Sequence, residues 1–139
     1  MKLSLLVNID VDDLARAEAF YRDAFGLKAS RRFGDGGVEM LGASSPVYLL
    51  RKEAGSAATD SVPQARDYGR HWTPVHLDFV VSDLAEAVAR AEAAGAVREG
   101  EVRTARWGRI ATLADPFGNG FCLIEFLNRG YDEIADPPA

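Results

Sequence analysis

Two stretches of the chain, 70 residues apart, carry the same pattern, and a duplication constrains the fold more than any single residue does. Asn8-Ile9-Asp10-Val11-Asp12-Asp13-Leu14 is echoed by Asp78-Phe79-Val80-Val81-Ser82-Asp83-Leu84. In each copy an alternating apolar strand, Leu3 to Val11 or Val75 to Val81, runs into a helix opened by a capping side chain. The caps are Asp12 or Asp13 in the first copy and Ser82 in the second. The first helix places Leu14, Ala17, Tyr21 and Ala24 at helical spacing and stops at Gly26. The second places Leu84, Val88, Ala91 and Ala94 and stops at Gly95.

Three extended runs follow each helix. They are Leu27 to Phe33, Val38 to Leu41 and Val47 to Leu50 in the first copy, and Ala96 to Arg103, Trp107 to Leu113 and Phe121 to Leu127 in the second. The last two are joined by Asp115-Pro116-Phe117-Gly118-Asn119, a turn by its chemistry because Pro presets φ and Gly or Asn accepts a positive φ. The pattern predicts one domain over 1–139: a first module over about 1–52, a polar connector over 53–73, a second module over about 74–127 and a tail over 128–139. A connector of this length in a compact domain is either a lid or a plain linker.

Composition narrows the function classes. With 139 residues, 47% hydrophobic and 27% charged, the chain can bury a core with a pocket without disulfides or a structural metal. Its net charge of −5 comes with scattered basic residues, which argues against nucleic acid as a partner. No run approaches the ~20 apolar residues that cross a bilayer, and MKLSLLVNID turns acidic too early for a signal peptide. A cytoplasmic protein with no membrane partner is expected. The single cysteine, Cys122, has no internal disulfide partner and suits a reducing compartment.

The phrases VDDLARAEAFYRDAFGL, HLDFVVSDLAEAVARAEAAGA and LADPFGNGFCLIEF, set in this duplicated order, resemble the vicinal oxygen chelate superfamily of glyoxalases, bleomycin-resistance proteins and extradiol dioxygenases. The resemblance covers Leu3 to Leu127. It implies an α+β fold of two tandem βαβββ modules whose curled mixed sheets surround a shared cavity, and a homodimer. It also implies a divalent-metal ring with one residue from the first and one from the last strand of each module. By the repeat, the four ring positions are Leu6, Tyr48, His76 and Cys122. Catalytic sites use about three imidazole or carboxylate ligands, and this ring supplies one good one. No cofactor is therefore expected. If a metal is present, His76 is expected to hold it with Glu39 or Glu125, although Glu125, three residues from Cys122, points to the other strand face unless a bulge intervenes.

The candidate ligand-binding residues are Tyr48, His76, Cys122, Trp107, Arg109, Phe33 and Glu39, with Tyr68, His71 and Trp72 near the end of the connector. His76 shares a strand face with Asp78 and Val80, opposite the stripe Leu77, Phe79 and Val81. It is a ligand or acid–base group, or a hydrogen-bonded side chain in a pocket wall. Cys122 has no Lys or Arg beside it in sequence and fits a small buried hydrophobe better than a reactive thiol. Tyr48 suits stacking and one hydrogen bond, or plain packing. Gly34-Asp35-Gly36-Gly37 lies between strands rather than before a helix, so it is no phosphate loop, and Ser44 and Ser45 have no nucleophile elbow.

Aromatic faces with a few polar groups suit a small organic ligand. The expected function is small-molecule binding of the glyoxalase/bleomycin-resistance type, with drug sequestration as one role. Two alternatives stand beside it: a metal-dependent lyase, isomerase or dioxygenase of the same fold, and a catalytically silent interaction subunit.

Overall fold

The computed structural model, which describes residues 3–138, arranges the first module as β1 (Val7–Val11), α1 (Leu14–Phe25), β2 (Lys28–Arg32), β3 (Gly37–Leu41) and β4 (Val47–Arg51). The second repeats it as β7 (Leu77–Val80), α2 (Leu84–Ala94), β8 (Val97–Ala105), β9 (Gly108–Ala114) and β10 (Gly120–Phe126). Between them the connector folds back as a hairpin, β5 (Ala57–Thr59) and β6 (Val62–Ala65). The sheets run β1-β4-β3-β2 and β7-β10-β9-β8, each with its first and last strands side by side and parallel. This is the expected α+β pair of βαβββ modules. The first strands are shorter than the apolar alternation suggests: Leu3 to Leu6 are exposed and outside β1, and Val75 and His76 precede β7.

Both helices start and stop by local chemistry. Asp13, with extended backbone, accepts a hydrogen bond from the Arg16 N–H at 3.0 Å, and Gly26 closes α1 at φ 71°. In the second module the cap is Asp83, accepting from the Glu86 N–H at 3.1 Å, rather than the expected Ser82. Asp83 is also the residue that matches Asp13 in the repeat.

Buried Ala17, Phe20, Tyr21 and Ala24 of α1 and Leu84, Val88 and Ala91 of α2 face the sheets. The Phe25 ring crosses the module boundary, stacking on Phe79 at 4.1 Å and meeting Phe121 edge-on at 5.6 Å. Tyr21, 3% exposed, donates its hydroxyl at 2.6 Å to Asp115 Oδ2, so α1 is tied to the second module's turn. One hydrophobic core therefore serves both modules. The tail is docked: a 3-10 turn at Gly130–Glu133 lays Tyr131 against Trp107 and Phe126, with ring centroids 5.0 and 4.8 Å apart. No helix among the described residues is long and apolar enough to cross a membrane.

Candidate functional site

The strand register fixes what each sheet presents on the face away from its helix. Partners directly opposite in register share a face, and Asn8, Tyr48 and Glu39 lie opposite one another across β1, β4 and β3. Asp78, Cys122 and Thr112 form the matching row across β7, β10 and β9.

In the first module this row is a hydrogen-bonded cluster. Buried Glu39 accepts from Arg31 Nη2 at 2.7 Å and Nε at 3.1 Å, and from the Tyr48 hydroxyl at 2.7 Å. The Arg31 hydrogen bonds, then that of Tyr48, hold the Glu39 carboxyl down at about 2, and Glu39 in turn raises the Tyr48 phenol above its usual value. Half-exposed Phe33 has its ring 6.2 Å from that of Tyr48. Tyr48, Glu39 and Phe33 are thus brought together, around an Arg31 that the sequence argument overlooked.

In the second module, ligand atoms of His76, Asp78 and Cys122 lie within 4.8 Å of one another, with His76 Nε2 3.2 Å from Asp78 Oδ1. Cys122 is buried, its sulfur is 3.6 Å from the Thr112 hydroxyl, and burial pushes its thiol up. The four-position metal ring does not fit these side chains: Leu6 has no donor atom, and the Tyr48 hydroxyl donates to Glu39. The potential metal-binding group is instead His76, Asp78 and Cys122, all from one module. Glu39 and Glu125, the carboxylates expected to help His76, are committed elsewhere. Glu125 Oε1 accepts from the Leu84 N–H at 2.9 Å and its Oε2 lies 3.3 Å from Arg109, on the helix-facing side opposite Cys122, as strand parity requires.

Arg109, paired with Glu125, shares that helix-facing side. Trp107 precedes β9 rather than lying in it and packs under the tail. The structure therefore separates Trp107 and Arg109 from the other candidates.

Between the exposed edges of β1 and β7 lies a groove of about 690 Å³ lined by both modules and the connector. Its apolar and aromatic walls include Ile9, Tyr21, Tyr68, Trp72, Phe79 and Phe121, and His71 and His76 also line it. The connector's second half is fastened to this groove. Arg66 Nε reaches Asp10 Oδ2 at 2.8 Å, Tyr68 donates to the Lys52 carbonyl at 2.7 Å, and His71 Nε2 meets Asn119 Oδ1 at 2.8 Å. Trp72, half-exposed, has its ring 4.7 Å from that of His76 and lies over Gly120 so closely that a Cβ there would collide with it. Gly118, at φ 82°, likewise has the Gly69 carbonyl where a Cβ would be. The two glycines beside Asn119 therefore admit the connector.

The profile of the family described as "Glyoxalase-like domain" matches residues 6–124. An anthracycline biosynthesis protein, DauV, of Streptomyces sp. (strain C5) is 34% identical over 131 residues, covering 94% of this chain; the chain spans 43% of that relative's length. Among solved structures, a lactoylglutathione lyase from Agrobacterium tumefaciens is similar at 25% identity and a TM-score of 0.62, covering 90% of this chain and 94% of its own. TnmS3, an antibiotic binding protein from Streptomyces sp. CB03234, shares the fold at 21% identity and a TM-score of 0.65, covering 91% and 98%.

Proposed function

The chain belongs to the glyoxalase-like family, and on that footing we propose that it binds a small organic molecule in the groove between its two modules. The observation that carries this reading is the groove itself: about 690 Å³, within the range of small-molecule sites, with aromatic walls and polar side chains from both modules and the connector. The relative named for anthracycline biosynthesis and the neighbour described as an antibiotic binding protein favour an aromatic natural product as ligand and a sequestering role. Titrating a panel of planar aromatic compounds by calorimetry and tryptophan fluorescence tests it. At least one compound is expected to bind at micromolar affinity and to weaken at least tenfold in Trp72→Ala, about 1.4 kcal/mol. Failure of every compound to bind better than about millimolar would overturn it. We propose in addition that the protein acts as a cytoplasmic homodimer. Light scattering at twice the chain mass checks the dimer.

A second reading, a metal-dependent lyase, isomerase or dioxygenase, is favoured by the His76, Asp78 and Cys122 group. Protein purified without chelator, analysed for metal and titrated with Zn, Mn, Ni and Fe(II), decides it. About one ion per chain at micromolar affinity or tighter, lost in His76→Ala, would put the enzyme first.

A further inference from the structure

The end of the connector is held by a histidine whose two ring contacts both need a donor. His71, half-buried, has Nδ1 2.9 Å from the Gly69 carbonyl oxygen and Nε2 2.8 Å from Asn119 Oδ1. A carbonyl oxygen only accepts, so Nδ1 must carry a proton to make the first bond. Nε2 must carry one for the second, because Asn119 has no donor to turn toward it: the side-chain amide nitrogen donates to Asp115 Oδ2 at 2.9 Å. Asp115, 4% exposed, also accepts the Tyr21 hydroxyl and the backbone N–H groups of Phe117 and Asn119. Turning the Asn119 amide over would set its oxygen against this buried carboxylate and leave the conflict in place.

A neutral imidazole has one N–H and one lone pair. In that form His71 keeps one of its two bonds and points a lone pair at an oxygen in the other. The doubly protonated ring makes both, each as a charge-assisted bond. The charged and titratable groups around it are Asp115, with Tyr21 behind it, from the turn and α1; Asp67, which accepts the Gly69 N–H; Arg70, paired with Glu99 of β8; and His76, on the other side of Trp72. Among the described residues none of these is hydrogen-bonded to the His71 ring.

The same residue anchors the chain beside the groove. The His71 N–H donates to the Gly118 carbonyl at 3.0 Å, and His71 pairs with Asn119 in a parallel bridge. Trp72 follows directly and lies over Gly120. We infer that residues 66–72 form a strap along the groove, latched by His71 with both ring nitrogens protonated, and that the strap loosens when His71 gives up one of those protons. An imidazole is the side chain suited to that change near neutral pH. The inference goes beyond the small-molecule reading and does not depend on it: the wall that carries Tyr68 and Trp72 responds to pH whatever the groove takes.

The test reads the His71 backbone amide, whose bond to Gly118 reports the closed strap. Water-exchange NMR gives its protection, relative to the Leu123 amide of the core, at about pH 5.5 and about pH 8.5, on either side of the roughly 6.5 of an ordinary imidazole. Protection is expected to be about tenfold higher at the lower pH, the fold-change that corresponds to one hydrogen bond. In His71→Gln, whose single amide nitrogen cannot donate in both directions, the two values are expected to agree within about twofold. His76→Gln, which removes the other histidine, is expected to keep the full response. Equal protection at the two pH values in the natural protein would overturn the inference. So would a response that survives His71→Gln, or one that vanishes in His76→Gln, since either would assign it to another group.

Discussion

Replacing Tyr21 with Phe removes one oxygen atom from the joint between the modules and little else. The ring is 3% exposed and sits edge-on to Phe20 at 4.9 Å and stacked with Phe25 at 5.7 Å, contacts that a phenylalanine keeps. What is lost is the 2.6 Å hydrogen bond to Asp115, a carboxylate only 4% exposed. A hydrogen bond to a charged group contributes about 1.5–3 kcal/mol. Asp115 keeps the N–H groups of Phe117 at 2.8 Å and Asn119 at 2.9 Å, and the Asn119 side-chain amide, so the middle of that range applies, about 2 kcal/mol. With an unfolding entropy of about 2.1 cal/mol/K per residue, this lowers the melting temperature by about 7 °C. Urea unfolding followed by far-ultraviolet circular dichroism, with scanning calorimetry beside it, measures both. The pH dependence gives a second signature. Burial, reinforced by Asp115, raises the Tyr21 phenol well above its ordinary value of 10.0. Its stabilisation is therefore complete below pH 10 and lost as the pH rises toward the folded-state value, and Tyr21→Phe lacks that part of the alkaline loss. A loss below about 0.5 kcal/mol, the scatter of ordinary surface substitutions, would refute the argument that this bond joins the modules.

Three further outcomes are expected. Gly120→Ala should displace Trp72 and cost about 1–3 kcal/mol, as overpacking does; a red shift of tryptophan emission in a Trp107→Phe background reads the displacement, and unchanged emission would contradict the packing described. Glu39, held at about 2 against an ordinary 4.5, contributes stability that is present above pH 4.5 and lost as the pH falls through 2; acid titrations of the natural protein and Glu39→Gln should differ in that window, and identical curves would show that the Arg31–Tyr48 cluster does not act on Glu39. Cys122, buried and with a raised thiol, should resist iodoacetamide at pH 7 until the protein is denatured; alkylation of the folded protein at the rate of a free thiol would place it in an open environment.

How far the sequence reaches differs between the fold and the site. The repeat located both helices, because Asp13 and Gly26, and Asp83 and Gly95, are local start and stop signals that need no tertiary partner. The second cap went to Ser82 because serine and aspartate serve equally well there, and only the backbone geometry separates adjacent candidates. Strand parity correctly kept Glu125 away from Cys122, and the same rule, carried across the register to Arg109, places Arg109 with Glu125. Arg31 carried no local signal, since it is one of five exposed positions in β2 and becomes informative only once Glu39 is known to lie within reach.

The strand–helix–strands pattern of each copy, the capped helices and the Asp115–Asn119 turn all follow from residues close together in the chain. Periodicity and capping are set over a few residues, so a single sequence displays them. The groove was decided elsewhere. It exists because β1 and β7 stay unpaired at their facing edges and because residues 66–72 of the connector are fastened to Asp10, Lys52 and Asn119. These partners are between 16 and 56 positions apart, and which donors remain free to meet a ligand depends on pairings over such separations. No local pattern encodes those pairings, because each is chosen by the packing of two modules and a connector against one another.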